Sequence, residues 1–560
     1  MPRWFVLSIT ALFAFLAIAA LLGESPSAQF WGRWPRYEGA VTLPVYVASA
    51  WIGARLLARP GSARTALYLA VCAAAIAQGA VSAIESTGLR PIPTDIERPG
   101  GLVGQATDQG TLAAMMFALL LPTLLLACRR GHRLWFRRAW PARVLLVSAT
   151  TLALLTVFWS GCRAALVMVI IVIPAVAVGE FITSRRRRGQ QRVADSRALD
   201  GSPNSASNAT GVIRGGIAVA AGLAAVAALA IATPSMRDRF TDLTGSAMKS
   251  ATDRAAMWQE TVGLIANRPI TGVGPSGYVD AIVPFHTQEW YDSVGTTVLD
   301  SPHSLLFQAA ATGGLLTLAG VVGLALAVLA VGLRRWWRLG NQGGSSADAE
   351  SAALTAGAVL ALMTLGGVLL SAFTAPSTQI LGCLLVGFVV AKARPSDATA
   401  QAPGRSVRSA RRRVVRSLAL SGAVAWAAFL GVTAAAEIPL QNGSDLADMR
   451  REIDANAQFE LAQSLRPWDS DIAKLATRAF ARSALNDVPT AADYAVSWGN
   501  RAISVTPNDV TVAKALALGL DRSGDVAGAR HLLERMLARA PYDPTFVQHY
   551  AEIVARTDQH

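Results

Sequence analysis

Apolar residues run along this chain in long uninterrupted blocks, not at the 3.6- or 2-residue spacing of half-buried soluble elements. The blocks lie at 4–22, 38–57, 64–84, 109–128, 141–159, 162–183, 212–232, 303–333, 352–372, 376–394 and 415–436. Each is near or above the roughly 20 residues that carry a helix across about 30 Å of hydrocarbon. The pattern predicts eleven membrane-spanning helices. The first block has no small-x-small cleavage site before Gln29 and reads as a retained span. After 437 the blocks stop, and apolar positions recur at helical spacing, as in Ala513, Leu516, Leu518, then Ala527, Leu532, Leu533, Met536 and Leu537. The expected fold is all-α: a polytopic membrane domain over 1–437 and a water-facing helical domain over 438–560.

The polar loops fix an orientation. Arginines gather at 55–64, 129–138, 185–188, 334–338 and 405–416, which are alternate loops. The positive-inside rule puts all five in the cytoplasm. The N-terminus is then cytoplasmic, and the opposite face receives 23–36, 85–108, the long loop 232–302 and the tail. The stretch 184–211, rich in Ser, Asn, Gln and Ala toward its end, reads as a cytoplasmic linker. Charged residues make up 16% of the chain, against about 25% in soluble proteins. The net charge of +14 is not a nucleic-acid footprint: 438–560 holds 13 basic and 16 acidic residues, so 1–437 carries +17, in the loop clusters. Only four of the 51 basic residues are lysine, which with the abundant alanine points to a GC-rich bacterial genome and so to a bacterial cytoplasmic membrane. Cys72, Cys128, Cys162 and Cys383 have no paired spacing and support neither a disulfide framework nor a zinc site.

In the tail, Pro507 and Pro541 are 34 residues apart; each follows an amphipathic helix and precedes an Asp-containing turn. Gly524 falls between them, and an earlier unit ends at Pro467, 40 residues back. That period resembles the tetratricopeptide repeat, which implies binding of a protein or glycan partner; an unspecific helical-hairpin domain fits the same pattern.

Several motif matches carry no chemistry. Gly272-Val-Gly274-Pro-Ser-Gly277 fits a dinucleotide fingerprint but has no preceding strand or βαβ unit. Asp469-Ser-Asp471, a metal-pair pattern, sits in the helical tail. No phosphate-binding GxxxxGK loop is present. Neither a cofactor nor a metal is indicated.

Three polar elements at the outer face remain. Arg163 opens a span after Ser160-Gly161-Cys162. An arginine there fits interfacial snorkelling or an anion site. Arg254 and Trp258 share one helix face and lead through Pro269 to the Gly272–Gly274 turn; alone they fit an amphipathic interfacial helix with its indole against the membrane. Asp300-Ser301-Pro302-His303-Ser304 precedes a span. Ser301 suits an N-cap and Pro302 the first helical position, which would put His303 in the first turn. There the positive helix end attracts anions and keeps an imidazole neutral. A structural or solvated histidine is the alternative.

These elements, in this order, resemble the O-antigen ligase/polymerase superfamily. Its His-[Asn/Ser/Gln]-x9-Gly-x-x-[Gly/Thr/Tyr] motif is matched by His303, Ser304, Gly314 and Thr317. Its Arg-x-x-x-Trp…Pro-x-x-Gly-x-Gly stretch is matched by Arg254, Trp258, Pro269, Gly272 and Gly274, and a Ser-x-x-Arg element by Ser160 and Arg163. The resemblance implies transfer of a glycan from a polyprenyl-pyrophosphate donor to a glycan, lipid or protein hydroxyl, with neither metal nor nucleotide. Arg163 and Arg254 would hold pyrophosphate, and His303 would activate the acceptor or bond the pyrophosphate. Trp258, Ser304, Gly272 and Gly274 would support them. Surface-polysaccharide ligation, polymerisation and protein O-glycosylation share these motifs. A transporter or flippase is the rival reading, but it calls for charged or broken helices at mid-membrane.

Overall fold

The structure, a computed structural model, describes residues 1–92, 98–128, 139–195, 228, 245–341, 346–391, 405–486 and 488–557. The basic cluster 129–138, the linker beyond 195, the beginning of the long loop and all but Ala228 of the expected span 212–232 lie outside the described residues.

Among the described residues, nine helices are long and apolar enough to cross a membrane. In order come α1 (Arg3–Leu21), the short α2 (Pro26–Trp31), α3 (Leu43–Ile52), α4 (Ser62–Ser86), α5 (Ala106–Cys128), α6 (Ala139–Ser160) and α7 (Arg163–Asp195). The long loop contributes α8 (Gly245–Asn267), α9 (Tyr278–Ala281) and α10 (Gln288–Ser293). Then follow α11 (Leu305–Asn341), α12 (Ser346–Leu369), α13 (Pro376–Val390) and α14 (Arg405–Ala435). The expected span at 376–394 corresponds to α13, of only 15 residues, and α7 runs on to Asp195, into the segment expected as linker.

α5 is the central helix. Its apolar window is 83% buried, against 17% for α1, because Ala, Met and Leu surround it on all sides. Hydrocarbon supplies little drive for helix association, so polar pairs help to fix the bundle. Tyr68 and Thr123 hydroxyls meet at 2.7 Å, and Gln109 Nε2 donates to Ser82 Oγ at 2.6 Å. Two arginine clusters expected on one face meet there: Arg64 and Arg335 lie 5.6 and 4.4 Å from the Phe388 ring. Arg335 donates to the Phe388 carbonyl at 2.6 Å, capping the end of α13.

The segments expected on the other face also pack together. The tail holds seven helices, α15 (Glu437–Asp448), α16 (Glu452–Leu465), α17 (Ser470–Ala484), α18 (Pro489–Val505), α19 (Val510–Ser523), α20 (Val526–Arg539) and α21 (Pro544–Thr557). The recurring Pro-x-Asp turns are helix starts. Asp469, Asp509 and Asp543 accept from the backbone N–H groups of Asp471, Thr511 and Thr545 at 3.0, 2.8 and 3.0 Å. Asp469, Asp471 and Asp509 also grip the first loop. Tyr37 Oη donates to Asp469 at 2.8 Å, and the Trp34 N–H to Asp471 at 2.7 Å. Arg33, 6% exposed, lies among Asp280 at 2.7 Å, Asp471 at 3.5 Å and Asp509. Burial would raise the Asp509 carboxyl, but Lys474 and Arg33 outweigh it and hold it below its ordinary range. Val283 and Val298 of the long loop join the apolar cluster of α19–α21. The tail is thus built onto the loops beside the candidate site.

Candidate functional site

The site is assembled by a break in α11. Gly314 has φ 71° and ψ −179°, a conformation that is essentially glycine-only. The break frees backbone groups that the long loop then satisfies. Val273 N–H donates to Ala311 O at 2.9 Å, Gly274 N–H to Thr312 O at 2.8 Å, and Leu315 N–H to Pro269 O at 2.8 Å. The approach is so close that a Cβ on Gly314 would stand 2.0 Å from the Ile270 oxygen, and one on Gly272 2.5 Å from that of Ala311. The glycines of the two sequence motifs therefore mate with each other.

This seam carries α8 to the segment before α11. Trp258 Nε1 donates to the Pro302 carbonyl at 2.8 Å, and its ring stacks on Phe307 at 5.2 Å. The indole is half-buried in protein. On another side α8 is pinned by Glu260, which takes His286 Nδ1 at 2.7 Å and the Thr287 N–H at 2.9 Å. Met257 packs with Trp290 and Tyr291.

His303 does not occupy the first helical turn. α11 begins at Leu305, and Ser304, not Ser301, accepts its first backbone bond, from Gln308 N–H at 2.8 Å. His303 sits in the preceding turn at φ 49°, with Pro302 fixed by Trp258. Its imidazole is nevertheless kept neutral: burial, first, and the charges of Arg254 and Arg36 outweigh Asp300 and push the pKa down to about 4. A helix end is not among the causes. Its ring meets Phe373 edge-on at 5.1 Å.

Arg254 is half-buried, acts electrostatically on His303 and forms no ion pair among the described residues. Arg163 begins α7 with an exposed side chain. Its neighbour Cys162 is buried, and Gly110 of α5 packs close against the Cys162 Cβ. The charge of Arg254 thus reaches His303 electrostatically. A residue absent from the motif reading completes the group: Arg36 binds Asp300 through Nε and Nη2, both at 2.7 Å, and lies 4.7 Å from the Phe373 ring. The signal for it was an arginine pair, Arg33 and Arg36, in a loop expected on the arginine-poor face.

The fold is that of a polytopic α-helical membrane protein whose long loop folds back onto α11, where the charge of Arg254 acts on a neutral histidine. Residues 148–322 match the family model described as O-antigen ligase. That segment carries Arg163, Arg254 and His303, so the part of the chain that bears the candidate site is similar to the O-antigen ligase family. No curated protein matches the chain.

Proposed function

We propose that the protein transfers a glycan from a polyprenyl-pyrophosphate donor to an acceptor hydroxyl at the outer face of the bacterial cytoplasmic membrane, without metal or nucleotide. The family supports membrane glycosyl transfer in surface-polysaccharide assembly. The observation that carries the finer reading is Arg254: a half-buried guanidinium without an ion-pair partner among the described residues, whose charge acts on a neutral imidazole. A cation so placed suits an anion, and a metal-free displacement needs such charge where the leaving group forms.

In the reaction the acceptor oxygen attacks the anomeric carbon, and a C–O bond forms there. The bond from that carbon to the phosphate oxygen breaks, its electron pair leaving with the polyprenyl pyrophosphate. The acceptor proton passes to His303. A base with a pKa of about 4 is weak, but a bound pyrophosphate brings negative charge that favours the imidazolium and raises the pKa toward neutrality. Donor binding would thus switch the base on. Hydrogen bonding of His303 to the pyrophosphate draws on the same geometry. Arg163 is assigned to the donor's phosphates. Between α1 and α11 runs a cleft of about 460 Å³ lined by Leu12, Phe15, Leu316, Gly320 and Gly323; it begins two residues past Gly314 and offers the polyprenyl chain an apolar bed. The tail is read as a tetratricopeptide-like platform for the acceptor polymer or a protein partner.

The test is release of free polyprenyl pyrophosphate from a synthetic lipid-linked oligosaccharide by purified protein, with chelator and no nucleotide. Acceptor-dependent release in wild type, lost in Arg254→Ala and His303→Ala, supports the reading. Equal release from all three, or none from wild type, overturns it.

A further inference from the structure

We propose that Arg36 and Asp300 are positioning residues of the site, an ion pair that aims the His303 imidazole and whose arginine comes from a loop outside the family-matched segment. This deepens the glycosyl-transfer reading, and only its kinetic arm rests on that reading.

The geometry is a relay of three groups from three parts of the chain. Arg36 donates from Nε to Asp300 Oδ2 at 2.7 Å and sets Nη2 2.7 Å from Oδ1, so the guanidinium edge faces one carboxylate. The Arg36 side chain is 13% and that of Asp300 32% exposed, so the pair is partly shielded from water. With its edge committed to Asp300, Arg36 lays its carbon centre 4.7 Å from the Phe373 ring centroid. Phe373, in the connection between α12 and α13, meets His303 edge-on at 5.1 Å. Asp300 stands three residues before His303, so the pair grips both the chain leading into the histidine and the ring beside it.

The first loop is itself immobilised. Arg33 and Tyr37, on either side of Arg36, are held by the tail carboxylates Asp509 and Asp469. The carboxylate of Glu38 is taken by the hydroxyls of Thr374 and Tyr46, which leaves Asp300 as the acceptor for Arg36. The charged groups acting on His303 are Asp300 from its own turn, Arg254 from α8 and Arg36 from the first loop. The α12–α13 connection offers it the uncharged Phe373 ring. Asp300 favours imidazolium and Arg36 opposes it, so the two charges offset each other in part at the ring while the pair is intact, and removing either leaves more of the other's effect.

That opposition gives the test a signature that mere unfolding lacks. Diethyl pyrocarbonate attacks neutral imidazole, and the His303 peptide can be quantified by mass spectrometry as pH is varied in the full-length protein. Arg36→Gln removes one of the two cations that oppose Asp300, and the labelling midpoint should rise by about one pH unit, a roughly tenfold slower reaction on the acid side. Asp300→Asn should move the midpoint down. The double variant should return it toward wild type, and Arg36→Lys should restore the midpoint while recovering only part of the turnover, because it keeps the charge without the fork. Shifts in the same direction, or none, overturn the proposal. In parallel, the acid limb of turnover with the synthetic lipid-linked oligosaccharide should follow the labelling midpoints. If wild type releases no polyprenyl pyrophosphate, the functional reading falls, and the labelling midpoints still decide the role of the pair.

Discussion

Replacing Gly314 by alanine tests the assembly of the site at its narrowest point. The new Cβ would lie 2.0 Å from the Ile270 oxygen and 2.7 Å from that of Pro269, both backbone atoms that no side-chain rotation can clear. The φ 71°, ψ −179° conformation itself costs a residue with a Cβ about 1–3 kcal/mol. Relieving the clash means separating the Pro269–Gly274 turn from α11, with loss of the three backbone bonds across the seam, each worth about 1 kcal/mol net. Together the penalty is about 4–6 kcal/mol, or a fall of roughly 10³–10⁴-fold in the docked state. Hydrogen exchange read on the peptide spanning 268–275 should show the Val273 and Gly274 amides losing protection, and donor turnover should fall with it. Gly366→Ala is the matched control: it lies inside α12 with open space where the Cβ would go, and should be neutral or gain up to about 1 kcal/mol. Wild-type protection and turnover in Gly314→Ala would refute the seam as the device that brings Arg254 to His303.

Two further outcomes follow from the same geometry. Arg33→Met leaves Asp280 and Asp471 without their buried cation, and removing one partner of such a cluster typically costs about 3–5 kcal/mol; thermal unfolding should begin earlier, with 24–39 becoming the first site of proteolytic cleavage. The pH dependence has a definite sign. With its pKa depressed from 6.5 to about 4, native His303 binds fewer protons than the unfolded chain between those values, so its contribution to stability rises with pH across that window and is lost as pH falls through it. The acid limb of kcat/KM, which reports the free protein, should therefore lie below that of kcat, which reports the donor-bound state. An acid limb of kcat/KM at or above that of kcat would contradict it.

The backbone seam between the long loop and α11 was legible in sequence because spacing there is dictated by backbone contact. Gly272, Gly274 and Gly314 are irreplaceable where two chains meet at van der Waals distance, and His303 stands at a fixed remove from that contact. The local setting of His303 was not legible. Ser301 and Pro302 obey the rules for a helix start, yet the bond from Trp258 to the Pro302 carbonyl and the left-handed turn at His303 are tertiary, and they move the start to Leu305. Arg36 escaped because its role depends on Asp300 and Phe373, 264 and 337 positions away, with no local pattern to mark it. Crossing hydrocarbon is a one-dimensional demand on length and polarity, and among the described residues nine of the expected spans meet it while α13 falls short.

The grip of the tail on the first loop also sets an order of events. Arg33 meets Asp509 across 476 positions, and Tyr37 meets Asp469 across 432, so the earliest exposed loop to be synthesised waits for nearly the last helices before it is held. Until then Arg33 has no Asp509 and Tyr37 no Asp469, and the loop bearing Arg36 is untethered on that side. Long-range closure of this kind is slow and comes late in folding. A nascent chain would thus pass most of its time in the membrane with its helices inserted and its chemistry unassembled. A ribosome that stopped short of α19 would leave behind a membrane domain whose first loop still lacked its contact with Asp509.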